Sequence, residues 1–306
     1  MSAREPHAAD PFEALRPRLF GLAYRMTGSV ADAEDVCQDA WIRWNAADRD
    51  AVNSPEGFLV TLTTRLAIDR LRSARRRRES YVGPWLPEPL PDGSARAVAR
   101  AGDEPTPEAS AELADSLTFG FLTMLDELSP AERAVLLLHD VFGHDFATTA
   151  AAVGVTAEAA RQAASRARRK VRRPEDSVST LSAAERDAAT RERLDGLVAA
   201  LFVGDPAAVA DLLAPGVVQL DDGGAEVRAA RRPVVGPDRV ARFLVNLTKR
   251  YVDAAAEVEL VDVNGGPAVL IRLEGRPTAV MTIAVDGERR VERIWVQVNP
   301  DKLRHL

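Results

Sequence analysis

Phe12, Leu15, Leu19, Leu22 and Met26 recur three or four positions apart, the spacing that lines one face of a helix. Gly28-Ser29 interrupts the run, and Val36, Ala40, Trp41 and Trp44 mark a second apolar stripe. Asn53-Ser54-Pro55 reads as a turn into a third helix whose core side carries Phe58, Leu62, Leu66 and Leu71. The pattern then breaks: Tyr81 to Pro107 holds six of the 19 prolines and is expected to be a linker without regular helix. Helical spacing resumes over Ala109 to Leu128, and Pro130 to Val141 follows with Ser129 as its cap.

Past residue 180 the period changes. Ala183 to Phe202, Pro206 to Leu213 and Pro237 to Arg250 read as helices, and Val217 to Leu220 as a strand. Alternating runs follow at Ala256–Val263, Ala268–Leu273, Thr278–Val285 and Val291–Val298. Helices followed by what reads as a set of antiparallel strands predict an α+β domain with a curved sheet.

Charge sharpens this outline. The net charge of −6 argues against a general nucleic-acid coat protein, yet the basic residues are grouped. Thr61 to Ser80 holds seven arginines against Asp69 and Glu79, whereas residues 1–60 hold six arginines against ten acids. A second basic group ends a helix-turn-helix pattern. Asp145 to Ala152 is a short helix, Val153-Gly154-Val155 a tight turn, and Thr156 a cap for a long helix. From Arg161 to Arg173 that helix has seven cations and no acid, suited to phosphates. Thr156, Glu158, Arg161, Gln162 and Ser165 lie near its start, where a recognition helix meets base edges. An Arg run alone is more often a solvated face; the glycine turn and cap tip the reading toward DNA.

The lone Cys37 falls in an apolar helical stripe and reads as a buried reduced thiol. A single cysteine and scattered histidines (His7, His139, His144, His305) make no conventional metal site, and no cofactor is expected. With no apolar run long enough to cross a bilayer and no signal segment at the N-terminus, a cytoplasmic protein without a membrane partner is expected.

Arg18 to Met26 (RLFGLAYRM), Val30 to Trp41 (VADAEDVCQDAW) and Ile68 to Arg78 (IDRLRSARRRR) resemble region two of bacterial extracytoplasmic-function (ECF) sigma factors. Leu128 to His139 (LSPAERAVLLLH) with the helix-turn-helix resembles their region four. The resemblance implies a multidomain chain: an all-α region two at 1–80, a Pro-rich linker at 81–109, an all-α region four at 110–176 and a further α+β domain at 180–306. It implies core RNA polymerase and promoter DNA as partners, with a monomer as the working unit. In the family the helix bearing Asp32, Asp35, Gln38, Asp39 and Trp41 grips polymerase, although an acidic stripe alone reads equally well as solvated surface. Asn53 and Ser54 match the loop that reads an unstacked base of the −10 element, for which a polar side chain is chemically apt. Arg70, Arg72, Arg75, Arg76, Arg77 and Arg78 would lie along phosphates beyond it. The recognition helix would meet the −35 element through Arg161, Gln162 and Arg166, with Arg168 to Arg173 on phosphates or a neighbouring domain.

The C-terminal domain resembles the SnoaL-like cone fold, and three signatures resemble a sigma subgroup that carries it. They are Trp85-Leu86-Pro87-Glu88-Pro89 (WLPEP), Asp222-Gly223-Gly224, and Asn299-Pro300-Asp301-Lys302-Leu303 (NPDKL). Ala225 stands where the subgroup has a third glycine, which puts that loop's geometry in question. The subgroup's domain is thought to regulate the factor in cis, with Trp85 and the linker as the docking anchor, and a plain spacer as the competing reading.

Two other classes fit parts of the chain. Asp221, Asp222 or Asp262 in a cone-shaped pocket suggests catalysis, but Asp222-Gly223-Gly224 is well explained as a turn and no enzyme is expected. The alternative is a DNA-binding regulator with a ligand-sensing or vestigial enzymatic domain; it would act as a dimer and leave the acidic helix idle. A small-molecule ligand of the C-terminal domain stays open under both readings.

Overall fold

The computed structural model describes residues 10–99, 116–171, 181–251 and 256–306. Its chain divides into two compact units. One comprises Met1–Arg77, Arg96–Ser116 and Met124–Arg172; the other comprises Arg78–Ala95, Leu117–Thr123 and Arg173–Leu306.

The first unit is helical. Helix α1 (Pro11–Thr27) starts on Asp10, whose carboxylate accepts from Phe12 N–H and from Trp44 Nε1, both at 2.9 Å. It ends at Gly28, whose φ of 69° is the left-handed conformation that lets the chain reverse without Cβ strain. Ser29 then caps α2 (Val30–Ala46), and α3 runs from Pro55 to Arg78. Cys37 is buried and its thiol is pushed up to about 12, mainly by loss of water. Helix α4 (Asp92–Ala99) falls inside the segment expected to lack helix, and this corrects the sequence reading. Pro91, whose carbonyl accepts from Ala95 N–H, is the last proline before Pro105, and residues 92–99 contain none to break a turn. Of the stretch expected to be helical from Ala109, residues 109–115 lie outside the described residues. Helix α5 covers Phe119–Met124.

Ser129 and Glu132 form a reciprocal capping box at the head of α6 (Pro130–Leu136), which continues to Val141 with π-type pairing. Helix α7 (Phe146–Val153) ends at Gly154, φ 80°, and α8 (Ala157–Val171) follows. Ala160, Ala163, Ala164 and Ala167 face inward from α8, so its small residues let it sit close to α6 and α7.

The second unit carries helices α9 (Ala183–Val203), α10 (Pro206–Asp211) and α11 (Pro237–Tyr251). Its sheet comprises β1 (Leu213–Asp222), β2 (Val234–Val235), β3 (Ala256–Val263), β4 (Gly266–Leu273), β5 (Arg276–Val285) and β6 (Val291–Gln297), in the order β2-β1-β6-β5-β4-β3. The expected antiparallel set is mixed: β6 pairs antiparallel with β5 but parallel with β1. Alternation along a strand reports its buried face and not its direction, so the sequence pattern is blind to this pairing. The two-residue strand β2 was not anticipated.

Successive residues of each strand face opposite sides. Val269, Met281, Ile294 and Val296 pack with Leu197, Leu201 and Leu244 from the helices. Leu270, Val280 and Trp295 face the other way and pack with Leu86, Phe119 and Leu303. That second face is therefore closed by Leu86 of the proline-rich segment, by Phe119 at the start of α5 and by the C-terminal tail.

Candidate functional site

Helix α8 presents Glu158, Arg161, Gln162, Ser165 and Arg166 as exposed residues on the side opposite its alanine stripe. Thr156, also exposed, accepts from Ala159 N–H at 3.1 Å and caps the helix. Gln162 donates to Glu158 at 3.1 Å, and Arg161 lies 3.6 Å from the same carboxylate. Arg166 and Lys170 instead turn back to Glu132, at 3.3 and 2.8 Å. Burial alone would raise the Glu132 carboxyl, yet hydrogen bonds from Lys170 and Ser129 bring it down to about 2. Arg168 makes a two-pronged contact with Asp140 at 2.7 and 2.5 Å. The start of α8 thus offers polar side chains outward, while several later cations brace region four itself.

In the first helical bundle Asn53 and Ser54 are exposed, and Ser54 Oγ accepts from Gly57 N–H at 3.1 Å at the head of α3. The α3 arginines divide by environment. Arg72, Arg76 and Arg77 are exposed. Arg70 binds Asp32 at 2.7 Å and also pairs with Asp35, and Arg75 donates to the carbonyl oxygens of Asp126 (3.1 Å) and Leu128. Asp35, Gln38, Asp39 and Trp41 are exposed on α2, whereas Asp32 is partly covered by Arg70. Trp41 is 45% exposed and its neighbour Ile42 51%, so the acidic face of α2 has an exposed apolar pair beside it.

Helices α3 and α7 pack together within this unit. Arg65 donates to Ala151 O and Ala152 O, at 2.9 and 3.2 Å, on the last turn of α7. The fully buried Arg133 donates to Arg25 O at 2.9 Å and pairs with Asp126 at 2.8 Å.

In the other unit, the three signatures converge on one carboxylate. Asp222 Oδ2 accepts from Leu86 N–H at 2.8 Å and Lys302 Nζ at 2.7 Å. Its Oδ1 accepts from Tyr81 O–H at 2.6 Å and Gly224 N–H at 3.1 Å. Lys302 also donates to Leu86 O at 2.5 Å and lies 4.0 Å from the Trp85 ring, while the Arg78 guanidinium stacks 3.1 Å from the same ring. Burial pulls Lys302 down to about 8 against the opposing pull of Asp222. Tyr81 is raised, by burial first and by Asp222 second. Gln297 donates to Pro87 O at 3.3 Å, and Leu86 through Leu90 are buried. Asn299, Lys302 and Leu303 turn inward, whereas Pro300 and Asp301 are exposed.

The glycines of the Asp222 loop are explained by close approach. A Cβ on Gly223 would sit 2.3 Å from Val227 O, and one on Gly224 2.6 Å from Asn299 Nδ2. The left-handed φ, 61°, falls on Gly224 and not on Ala225, so alanine is accommodated at 225.

Sequence reasoning missed Asn264. With Gly265 it forms the two-residue turn between β3 and β4, at φ 58° and 77°. Its side chain accepts from Leu90 N–H at 2.8 Å and donates to Leu117 O at 3.0 Å, and its own N–H donates to Leu90 O at 2.8 Å. One residue thus holds the end of the WLPEP segment beside the entry to α5. Asn-Gly between strands is legible as a hairpin, but nothing local marks its side chain as a fastener.

Asp221 points the other way from Asp222, into a cavity of about 210 Å³. Its Oδ1 accepts from Gln219 at 2.8 Å, and burial raises the carboxyl to about 6. A carboxyl raised on folding stabilises the fold only while protonated: its contribution is full below about 3.8 and is lost as pH rises through about 6. Asp221→Asn, which does not titrate, is therefore expected to gain stability relative to the parent between pH 4 and pH 8, approaching about 3 kcal/mol. Urea unfolding across that range checks it; a constant difference between the two proteins refutes it. Asp262, whose carboxylate also suggested catalysis, is paired with Arg191.

Residues 11–77 match the Sigma-70 region 2 family and residues 119–171 match Sigma-70, region 4. The chain is 38% identical over 300 residues to the ECF RNA polymerase sigma factor SigJ of Mycobacterium tuberculosis, covering 95% of this chain and 91% of that one. The chain belongs to the ECF RNA polymerase sigma factors. A probable ECF sigma factor of the same organism, SigI, is 30% identical over 308 residues, covering 100% of this chain and 98% of the relative. The crystal structure of SigJ superposes with a TM-score of 0.73 at 34% identity, over 96% of this chain and 98% of that one. As an ECF sigma factor, the protein works with core RNA polymerase and promoter DNA in transcription initiation, and its α+β domain is an extension beyond regions two and four. The family is one of transcription factors and not of enzymes. Among the described residues no helix is long and apolar enough to cross a membrane.

Proposed function

We propose that this sigma factor is regulated in cis by its C-terminal domain, which restrains initiation by pinning the segment between region two and region four. The observation that carries the reading is the double hold of Asn264 on Leu90 and Leu117, backed by the Asp222 cluster on residues 81–86. Regions two and four form one compact body, for which a radius of gyration of about 15 Å is expected at roughly 150 residues. The −10 and −35 elements lie roughly 80 Å apart at 3.4 Å per base pair. A body of that size cannot touch both, so promoter engagement requires the two regions to part.

In this reading Asn53, Ser54, Arg72, Arg76 and Arg77 meet the −10 side, and Glu158, Arg161, Gln162 and Ser165 the −35 side. Asp35, Gln38, Asp39 and Trp41 dock on core polymerase. One chain carries both DNA-reading regions, so a monomer suffices, and its partners put its work in the bacterial cytoplasm. The C-terminal domain also retains room for a small-molecule ligand.

Energy transfer between dyes on Glu13→Cys and Ala147→Cys, both exposed positions, tests the opening in the full chain. Efficient transfer is expected for the free protein and its loss in the complex with core polymerase and promoter. Unchanged transfer in a complex that initiates would overturn the proposal.

A further inference from the structure

The cavity beside Asp221 lies between α9, α11 and one face of the sheet, with Leu201, Leu244, Val269, Met281 and Val296 among its walls, and it opens to solvent beside the exposed Phe202, Val227 and Arg228. It is almost wholly apolar, and Asp221 and Arg228 are the charged residues that line it. Asp221 is 3% exposed, and its Oδ2 has no hydrogen-bond partner among the described residues. A buried carboxylate oxygen left without a donor is costly, and beside a cavity a bound molecule can supply the partner. An engineered apolar cavity of about 150 Å³ admits benzene, so this one, at about 210 Å³, has room for one or two fused rings. At neutral pH the free oxygen is an acceptor, which calls for a donor on the ligand. The rest of the wall is almost wholly apolar and would strip water from a charged amine without replacing it, so an uncharged hydroxyl is the fitting group.

We infer that this cavity is a binding site for a small apolar molecule of one or two rings bearing a neutral hydroxyl, which donates to Asp221 Oδ2. The site deepens the ligand reading of the C-terminal domain and rests on it only for its biological consequence. Its position gives that consequence a route. Asp221 faces the ligand and Asp222, the next residue on β1, holds the WLPEP segment. Val227 and Arg228, in the cavity wall, leave the same glycine loop through the Val227 N–H bond to Gly223 O at 3.1 Å.

Calorimetry of the full chain with 2-naphthol, 2-methylnaphthalene and 2-naphthoate tests the site without any transcription assay. The expected result is one 2-naphthol per chain, bound at least tenfold more tightly than 2-naphthoate. Asp221→Leu should lose tenfold or more for 2-naphthol while retaining 2-methylnaphthalene, and Met281→Trp, which fills the cavity, should lose both. Thermal unfolding of each variant verifies that it is folded. No saturable binding to the parent chain, or a preference for 2-naphthol that survives Asp221→Leu, overturns the site. Binding that leaves initiation unchanged would keep the site and sink only its link to regulation. Initiation that responds to loosening at Asn264 while 2-naphthol fails to bind would do the reverse.

Discussion

Asp222→Ala is expected to destabilise the C-terminal unit of the full chain by about 3–5 kcal/mol, the range for removing one partner of a buried ion pair. Asp222 is fully buried and Lys302 is 7% exposed, so the ammonium left behind keeps its desolvation cost and loses its counter-charge. Leu86 N–H and Tyr81 O–H lose their acceptor in the same step. Lys302→Met alone is expected to cost less, because Asp222 retains its donors from Tyr81, Leu86 and Gly224. The double variant should recover part of the loss, since the orphaned charge is gone. Urea unfolding of all four proteins gives the coupling energy, expected to exceed about 1 kcal/mol. Additive single effects would mean that the pair does not hold the WLPEP segment as a unit. Unfolding is to be followed by a probe local to the C-terminal unit, because a chain of two units need not melt in one step.

Asn264→Gly should raise initiation by the full chain at limiting sigma concentration by about tenfold. Glycine accepts the φ of 58° that the hairpin demands, so the turn survives while the side-chain bonds to Leu90 and Leu117 disappear. Two neutral hydrogen bonds at about 1 kcal/mol each amount to roughly 2 kcal/mol, or some thirtyfold in the ratio of held to released segment. Part of that gain is consumed by water solvating the freed groups in both states. The measurement is abortive initiation with core polymerase on a promoter that the parent chain uses. Equal rates for variant and parent would remove the hold on Leu90 and Leu117 as a restraint. A slower variant would make the hold an activating brace.

The helices of regions two and four were legible because their signals are local. Gly28 and Gly154 adopt left-handed conformations at chain reversals, Ser29 and Thr156 cap helices, and the apolar stripes fall on buried faces. The strands of the C-terminal domain were legible through alternation, but the parallel pairing of β1 with β6 was not, since it joins residues such as Val218 and Arg293 that lie far apart in the chain. Helix α4 was missed because the proline content of the whole segment hid eight residues that have none.

The candidate site divides in the same way. Its motifs were visible as three separate strings, and the sequence determined their residue types: a carboxylate with two glycines, a lysine near the C-terminus, an aromatic residue among prolines. Only the tertiary structure decided that Lys302, Leu86 and Tyr81 meet on Asp222, that Arg70 reaches Asp32 on α2 and Arg75 the carbonyls of Asp126 and Leu128 while Arg72 pairs with Asp69 on its own helix, and that neighbouring Asp221 and Asp222 serve opposite faces of one strand. The physical reason is range. Capping, periodicity and turn chemistry act over a few residues, whereas pairing a buried charge requires groups from distant parts of the chain, and the packing of the sheet determines which ones arrive.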